Sequence, residues 1–238
     1  MHYFKLVYRS ALFLAALVIY VFVKIHGFAE SNGGFRIEYL VLGIIWIVYA
    51  IEMLLRFFPS RLESMGCQKQ FKRNFKPKGE TKPYWHSWKR TFAVTAAWLA
   101  LNGLFGFLYL FGIIDAGILI LISLAYGICD MICILFFCPF QTWFMKNRCC
   151  TECRIYNWDF AMMFTPFIFI PHLYTWSLLA MSIAILLRWE ITLKVHPERF
   201  SAKTNACVSC QYCEEKLCRH KKQLKSFWNK NKDRFLTK

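Results

Sequence analysis

The chain has 238 residues, 57% of them hydrophobic, and a formal net charge of +16 at pH 7. The apolar residues form long blocks that lack the polar face of helices and strands in soluble proteins, which excludes a soluble domain for most of the chain. The Lys and Arg residues lie almost entirely outside these blocks. Membrane topology and attraction to anionic lipid headgroups explain that distribution, so nucleic acid is not an expected partner.

Five hydrophobic segments approach the roughly 20 residues that a helix needs to cross the hydrocarbon of a bilayer. They comprise residues 11–28, 39–58, 92–114, 117–137 and 160–187. We therefore predict an all-α fold: a polytopic bundle of membrane helices over residues 1–191, followed by a basic, cysteine-rich tail over residues 192–238. The expected environment is the lipid bilayer, and the expected location is the cell membrane.

The charges of the links between segments predict their sides of the membrane. Residues 59–91 carry nine Lys or Arg and two Glu, an excess typical of cytoplasmic loops, which also places the amino terminus in the cytoplasm. The third and fourth segments are separated by Asp115 and Ala116 alone, so they form a tight antiparallel hairpin on the opposite side. Residues 138–159 then lie on the cytoplasmic side again.

The fifth segment creates a conflict with the charge of the tail. One crossing would place the tail outside, yet residues 188–238 carry thirteen Lys or Arg and five acidic residues. Pro166 and Pro171 interrupt the segment, and each removes a helical hydrogen bond. A broken or re-entrant segment that turns back would keep the tail in the cytoplasm, which is the prediction we adopt; a kinked single crossing is the alternative.

Eight of the eleven cysteines fall in two clusters that flank the fifth segment. They are Cys138, Cys149, Cys150 and Cys153 in the first cluster, and Cys207, Cys210, Cys213 and Cys218 in the second. Thiolates two residues apart on a tight turn can bind one metal ion or metal cluster. Because cytoplasmic thiols are kept reduced, metal binding is favoured there over disulfides or free thiols, whereas an outside tail would favour disulfides.

The spacing Cys207-x2-Cys210-x2-Cys213-x4-Cys218 resembles the ferredoxin-type run that binds a four-iron cluster. The last gap is one residue longer than in that run, and Arg219 stands where the run has Pro. Cys138-Pro139, at the end of a hydrophobic segment, is similar to the Cys-Pro of polytopic membrane iron-sulfur electron carriers. The resemblance implies an iron-sulfur cluster and electron transfer.

Zinc is the alternative metal. Cys150-x2-Cys153 and Cys210-x2-Cys213 have the spacing of two knuckles that together close a tetrahedral site of four thiolates. Such a site would be structural, because it would hold the tail against the loop before the fifth segment.

Three polar residues within the predicted membrane segments are considered for function: Asp130, Glu52 and Arg56. Asp130 is in the middle of the fourth segment, next to Cys129 and three residues before Cys133. A carboxyl group in hydrocarbon is costly, so Asp130 is a candidate for a proton relay or ion site, with hydrogen bonding between helices as the alternative. The two cysteines are interpreted as packing residues. Glu52 and Arg56 lie one turn apart, as in a structural pair within one helix.

A small redox protein is the leading hypothesis, in which an iron-sulfur site at the cytoplasmic face exchanges electrons with a quinone or a partner redox protein. A zinc-stabilised, non-enzymatic scaffold or assembly protein is the alternative, and an ion-coupled transporter using Asp130 and Glu52 is a weaker one. No P-loop, glycine-rich dinucleotide turn, His-Glu-x-x-His or Gly-x-Ser-x-Gly occurs, so the corresponding enzyme classes lack support.

Overall fold

A computed structural model describes residues 2–26, 37–58, 65–79, 83, 88–145 and 150–209 of the chain. These residues form helices joined by turns, and their only β-type pairing is an isolated bridge between Pro77 and Asn205. The α-helices are α1 (His2–His26), α2 (Ile37–Phe57), α3 (Met65–Gln68), α4 (Trp88–Leu110), α5 (Ala116–Leu135), α6 (Asp159–Met163) and α7 (Leu173–Val195). The all-α prediction is confirmed for this part of the chain.

Four of these helices, α1, α2, α4 and α5, are long and apolar enough to cross a membrane. They correspond to the first four predicted segments. At most a third of the residues in any of them is buried within the protein, and many large apolar side chains, such as Phe92, Leu104 and Phe107, are exposed. Exposed apolar surface of this extent is typical of helices that contact lipid.

Helices α1 and α5 are antiparallel neighbours. Asp115 begins α5 by accepting a hydrogen bond from the backbone N–H of Ile118, and its second carboxylate oxygen binds Tyr20 and Lys24 near the end of α1 at 3.0 and 2.7 Å. Burial alone would raise the pKa of Asp115, but the ion pair with Lys24 and the hydrogen bonds outweigh it and lower the pKa. The end of α1 and the α4–α5 turn therefore lie at the same end of the bundle, as predicted.

The fifth predicted segment is not one continuous helix. After the short helix α6, residues Thr165–Phe169 form a 3-10 helix with Pro166 in its first turn, and the chain is extended before α7 starts at Leu173. His172 caps α7 by accepting a hydrogen bond from the backbone of Tyr174. The predicted interruption at the prolines is thus confirmed, while a fifth span over residues 160–187 is not.

The segment leaves one end of the bundle and returns to it. Its first arm runs along α4 and α5, with Ser123 bound to the carbonyl of Met163 and Trp98 bound to Thr165. Helix α7 then runs parallel to α2: Trp46 donates to Ser177 at 2.8 Å, and eleven residues later along both helices Arg188 donates to the carbonyl of Phe57.

The first arm accommodates irregular backbone because protein surrounds it. Phe164 and Phe167 are each 1% exposed, and Thr165 is also buried. Backbone that is not α-helical is tolerated among membrane helices where other protein elements cover it. This arm is mostly not α-helical, and 3-10 turns advance farther per residue than α-helical turns.

We define the polar end of the bundle as the end that holds the start of α1, the end of α2 and residues 65–79, 150–158 and 196–209. Residues 204–206 pair there with residues 76–78 through two backbone hydrogen bonds of 2.9 Å. The buried Asn205 donates to the carbonyls of Lys69 and Arg199. The described part of the tail therefore lies beside the basic link that follows α2, as the re-entrant interpretation requires.

Candidate functional site

A buried ion cluster joins α1, α2 and α5 near the polar end. Arg9 is 2% exposed and donates to Glu52 at 2.5 Å, to Asp130 at 3.4 Å and to the carbonyl of Gly127 at 2.9 Å. Lys5, one turn earlier on α1, lies 3.8 Å from Glu52. Two cations thus face two carboxylates, which offsets the cost of placing their charges among apolar helices.

Sequence reasoning missed Arg9, because it precedes the predicted first segment and resembles a flanking charge. Helix α1 begins at His2, however, and this places Arg9 inside the bundle rather than at its surface. Asp130 and Glu52, both considered for an ion path, are bound by the same guanidinium. Arg9 explains how the carboxylates are tolerated, and the predicted pairing of Glu52 with Arg56 stays a prediction.

Arg56 connects α2 to the turns at the polar end. It donates to the side chain of Asn157 at 2.9 Å and lies 3.9 Å from Asp159. Asn157 in turn donates to Gln70, which donates to the carbonyl of Thr151 at 2.7 Å. This chain of buried hydrogen bonds fixes the turns against the end of α2, because each unpaired buried polar group would be costly.

A cavity of about 290 Å³, here called the bundle cavity, opens beside this ion cluster. Its walls come from α1, the end of α2, α4, α5 and residues 138–163, and most of its lining is apolar. The charged residues that line it are Lys5, Arg9, Arg56, Asp130 and Asp159.

Four cysteines also line the bundle cavity: Cys129, Cys133, Cys138 and Cys153. Cys133 and Cys138, on either side of the end of α5, line the same cavity, and their side chains lie within interaction distance of each other. Cys138 and Cys153 belong to the first predicted cluster, whereas Cys129 and Cys133 were interpreted as packing residues. Helical periodicity alone could not have shown that their face borders a cavity.

The predicted metal ligands are only partly within the described residues. Cys207 lies at the polar end, where its thiol is 3.0 Å from the carbonyl of Asn74. Cys149, Cys210, Cys213, Cys218 and the side chain of Cys150 lie outside the description. Within the described ranges, no three His, Cys, Asp or Glu side chains are grouped as metal ligands. The metal site therefore stays a prediction.

The two cysteine-bearing stretches nevertheless meet. The carboxylate of Glu152, adjacent to Cys153, accepts a hydrogen bond from the backbone of Ala202 at 3.1 Å, and Cys207 follows five residues later. Both stretches lie at the polar end, so chemistry that uses thiols from each is geometrically compatible with the fold.

A second cavity, also of about 290 Å³, lies at the polar end and is here called the outer cavity. Arg154 makes a two-point ion pair with Glu190 in its wall, and Trp158 donates to the same carboxylate at 2.7 Å. Burial would raise the pKa of Glu190, but these hydrogen bonds and the positive charge of Arg154 outweigh it and lower the pKa. Cys153 lines this cavity as well as the first.

The chain matches no protein-family model, and no curated protein or solved structure is significantly similar to it. The likeness to membrane iron-sulfur carriers therefore rests on the spacing of its cysteines.

Proposed function

We propose that this multi-pass membrane protein is a redox protein whose reactive groups are the thiols of the bundle cavity. One observation supports this above the others: Cys133 and Cys138 line one cavity, with their side chains within interaction distance, and Cys129, Cys153 and Asp130 line the same cavity. Two adjacent thiols can be oxidised to a disulfide and reduced again, which makes them a carrier of two electrons.

The bundle cavity supplies what that reaction needs. The thiolate is the reactive form of cysteine, so each thiol must give up a proton in the reaction. Asp130 is placed to accept one of the protons that the thiols release. In this proposal Arg9 positions Asp130, because it binds that carboxylate directly.

A lipid-soluble quinone is the proposed electron acceptor. The cavity is mostly apolar, and the side chain of Cys129 is exposed on α5, a helix apolar enough to cross the bilayer. The two thiols would lose two electrons and two protons as one S–S bond forms, and the quinone would gain them and become a quinol. The basic link after α2 supports a cytoplasmic position for the polar end, where a redox partner would bind.

The test uses purified protein reconstituted in lipid nanodiscs, reduced under anaerobic conditions and mixed with ubiquinone-1. We expect one quinol per protein, together with a Cys133–Cys138 disulfide identified by mass spectrometry. Cys133→Ser and Cys138→Ser should each abolish both, whereas Cys67→Ser, outside both cavities and both cysteine clusters, should behave as the wild type. Quinone reduction that persists in the first two variants would refute the proposal.

An iron-sulfur cluster or a zinc ion, held by cysteines of the two clusters, is a second proposal. The hydrogen bond between Glu152 and Ala202 supports it, because it brings the stretches that bear these cysteines together. Measuring iron, acid-labile sulfide and zinc in anaerobically purified protein separates the possibilities. Iron with sulfide supports an electron carrier, zinc alone supports a structural site in a scaffold, and protein free of both metals leaves the thiols as the redox groups.

A further inference from the structure

Cys153 stands between the two cavities. It is 9% exposed, packs with Val94, Met145 and Ile155, and lines both the bundle cavity and the outer cavity. It precedes Arg154, which is fixed to Glu190 in the outer cavity, and it follows Glu152, which is held by the tail. The backbone on both sides of this thiol is therefore anchored at the polar end.

The linings of the two cavities differ in a way that suits two different reactants. The bundle cavity is mostly apolar apart from its ion cluster, whereas the outer cavity includes Glu152, Arg154, Glu190 and Lys194 and lies among the turns of the polar end. A lipid-soluble molecule suits the first, and a water-soluble molecule with charged groups suits the second.

We infer that Cys153 is a relay thiol, which exchanges disulfides between the Cys133–Cys138 pair and a small water-soluble thiol that enters the outer cavity. The inference rests on the proposed function and names its electron donor. The donor class is a charged, low-molecular-weight thiol, because the outer cavity is small and partly charged.

The exchange balances without a further oxidant. After the quinone has formed the Cys133–Cys138 disulfide, the Cys153 thiolate attacks the sulfur of Cys138, and Cys133 leaves as a thiolate that takes up a proton. A donor thiolate then attacks the sulfur of Cys153 and releases Cys138 as a thiol. A second donor thiolate attacks the mixed disulfide, which yields the oxidised donor and restores the Cys153 thiol.

Glutathione is the probe for this step. The Cys133–Cys138 disulfide is formed in nanodisc-embedded protein with diamide, the diamide is removed, and reduced glutathione is added. Samples quenched with N-ethylmaleimide are then analysed by mass spectrometry. We expect Cys153→Ser and Cys153→Ala to slow reduction of the disulfide by roughly tenfold or more. Cys67→Ser, outside both cavities and both cysteine clusters, should leave the rate unchanged. Glutathione bound to Cys153 should be detected in the wild type.

Equal reduction rates in the wild type and in folded Cys153 variants, verified by their unfolding temperatures, would overturn the relay. If ubiquinone-1 still oxidises Cys133 and Cys138 in the wild type, the proposed function stands without the relay through Cys153. Conversely, if only diamide forms the disulfide and its reduction depends on Cys153, the relay stands and the quinone is the wrong acceptor. Failure of diamide to form the disulfide would remove both proposals.

Discussion

Replacing Gly106 by alanine should destabilise the protein by forcing α4 away from the first arm of the fifth segment. A methyl group at Gly106 would overlap the ring of Phe169, whose Cε2 atom would be 2.6 Å away. Gly103, on the same helix and one turn earlier, has nothing within 4 Å of the corresponding position. Gly103→Ala is therefore a matched control that changes the same residue type without the overlap.

The magnitude follows from two opposing terms. Gly→Ala in a helix interior gains about 1 kcal/mol of helix stability, and this gain applies equally at both positions. Overpacking a well-filled contact costs about 1–3 kcal/mol. We therefore expect Gly106→Ala to be less stable than Gly103→Ala by about 1–3 kcal/mol, the cost of displacing the Phe169 ring.

Reversible unfolding in mixed micelles by increasing sodium dodecyl sulfate, followed by tryptophan fluorescence, measures this difference. The double variant Gly106→Ala with Phe169→Ala should show less than the sum of the single losses, because the overlap is then absent. Equal stability of Gly106→Ala and Gly103→Ala would mean that Phe169 does not pack on α4, and the re-entrant path of the first arm would be refuted.

Three further predictions concern groups at or near the polar end. Arg9→Gln should cost about 3–5 kcal/mol in the same unfolding assay, and adding Glu52→Gln should recover part of the loss, because Glu52 and Asp130 both lose the guanidinium that binds them. The pKa of Glu190 is lower in the folded state than in the unfolded state, so its ionised carboxylate stabilises the fold above the unfolded-state pKa. This stabilisation is lost as the pH falls through the folded-state pKa. The difference in unfolding free energy between the wild type and Glu190→Gln should thus shrink in acid and persist at neutral pH. Asn205→Ala should cost about 1–3 kcal/mol and speed alkylation of Cys207, measured by mass spectrometry, since the tail loses its bonds to the basic link.

The helices themselves were predictable because hydrocarbon leaves the backbone few choices. A long apolar run must satisfy its own N–H and C=O groups, so it forms a helix whatever the details of its side chains. Residues 117–137 were predicted as the fourth segment, and α5 spans Ala116–Leu135. Pro166 and Pro171 likewise predicted the interruption of the fifth segment, because the missing N–H and the fixed φ angle of proline disrupt a helix at the proline itself.

The site was harder to predict because it depends on contacts between distant residues. Arg9 and Asp130 are 121 residues apart, and no periodicity in one sequence indicates that they meet. The spacing of Cys150, Cys153 and the tail cysteines predicted metal binding. The thiol pair at the end of α5 has no sequence motif, because Cys133 and Cys138 come together only where the helix ends between them.

The return of α7 to the polar end connects the charge pattern with the proposed chemistry. A single crossing would have carried Cys207 to the end opposite Cys153, and the basic tail away from the basic link. The broken first arm avoids both outcomes at little cost, because Pro166 lies in the first turn of a 3-10 helix, where its missing N–H is not needed, and Pro171 lies in extended chain. The positions of these prolines therefore allow a short arm to enter the bundle and turn back. As a result, every described cysteine outside α5 lies at the polar end or in the wall of the bundle cavity, where one redox system can use them.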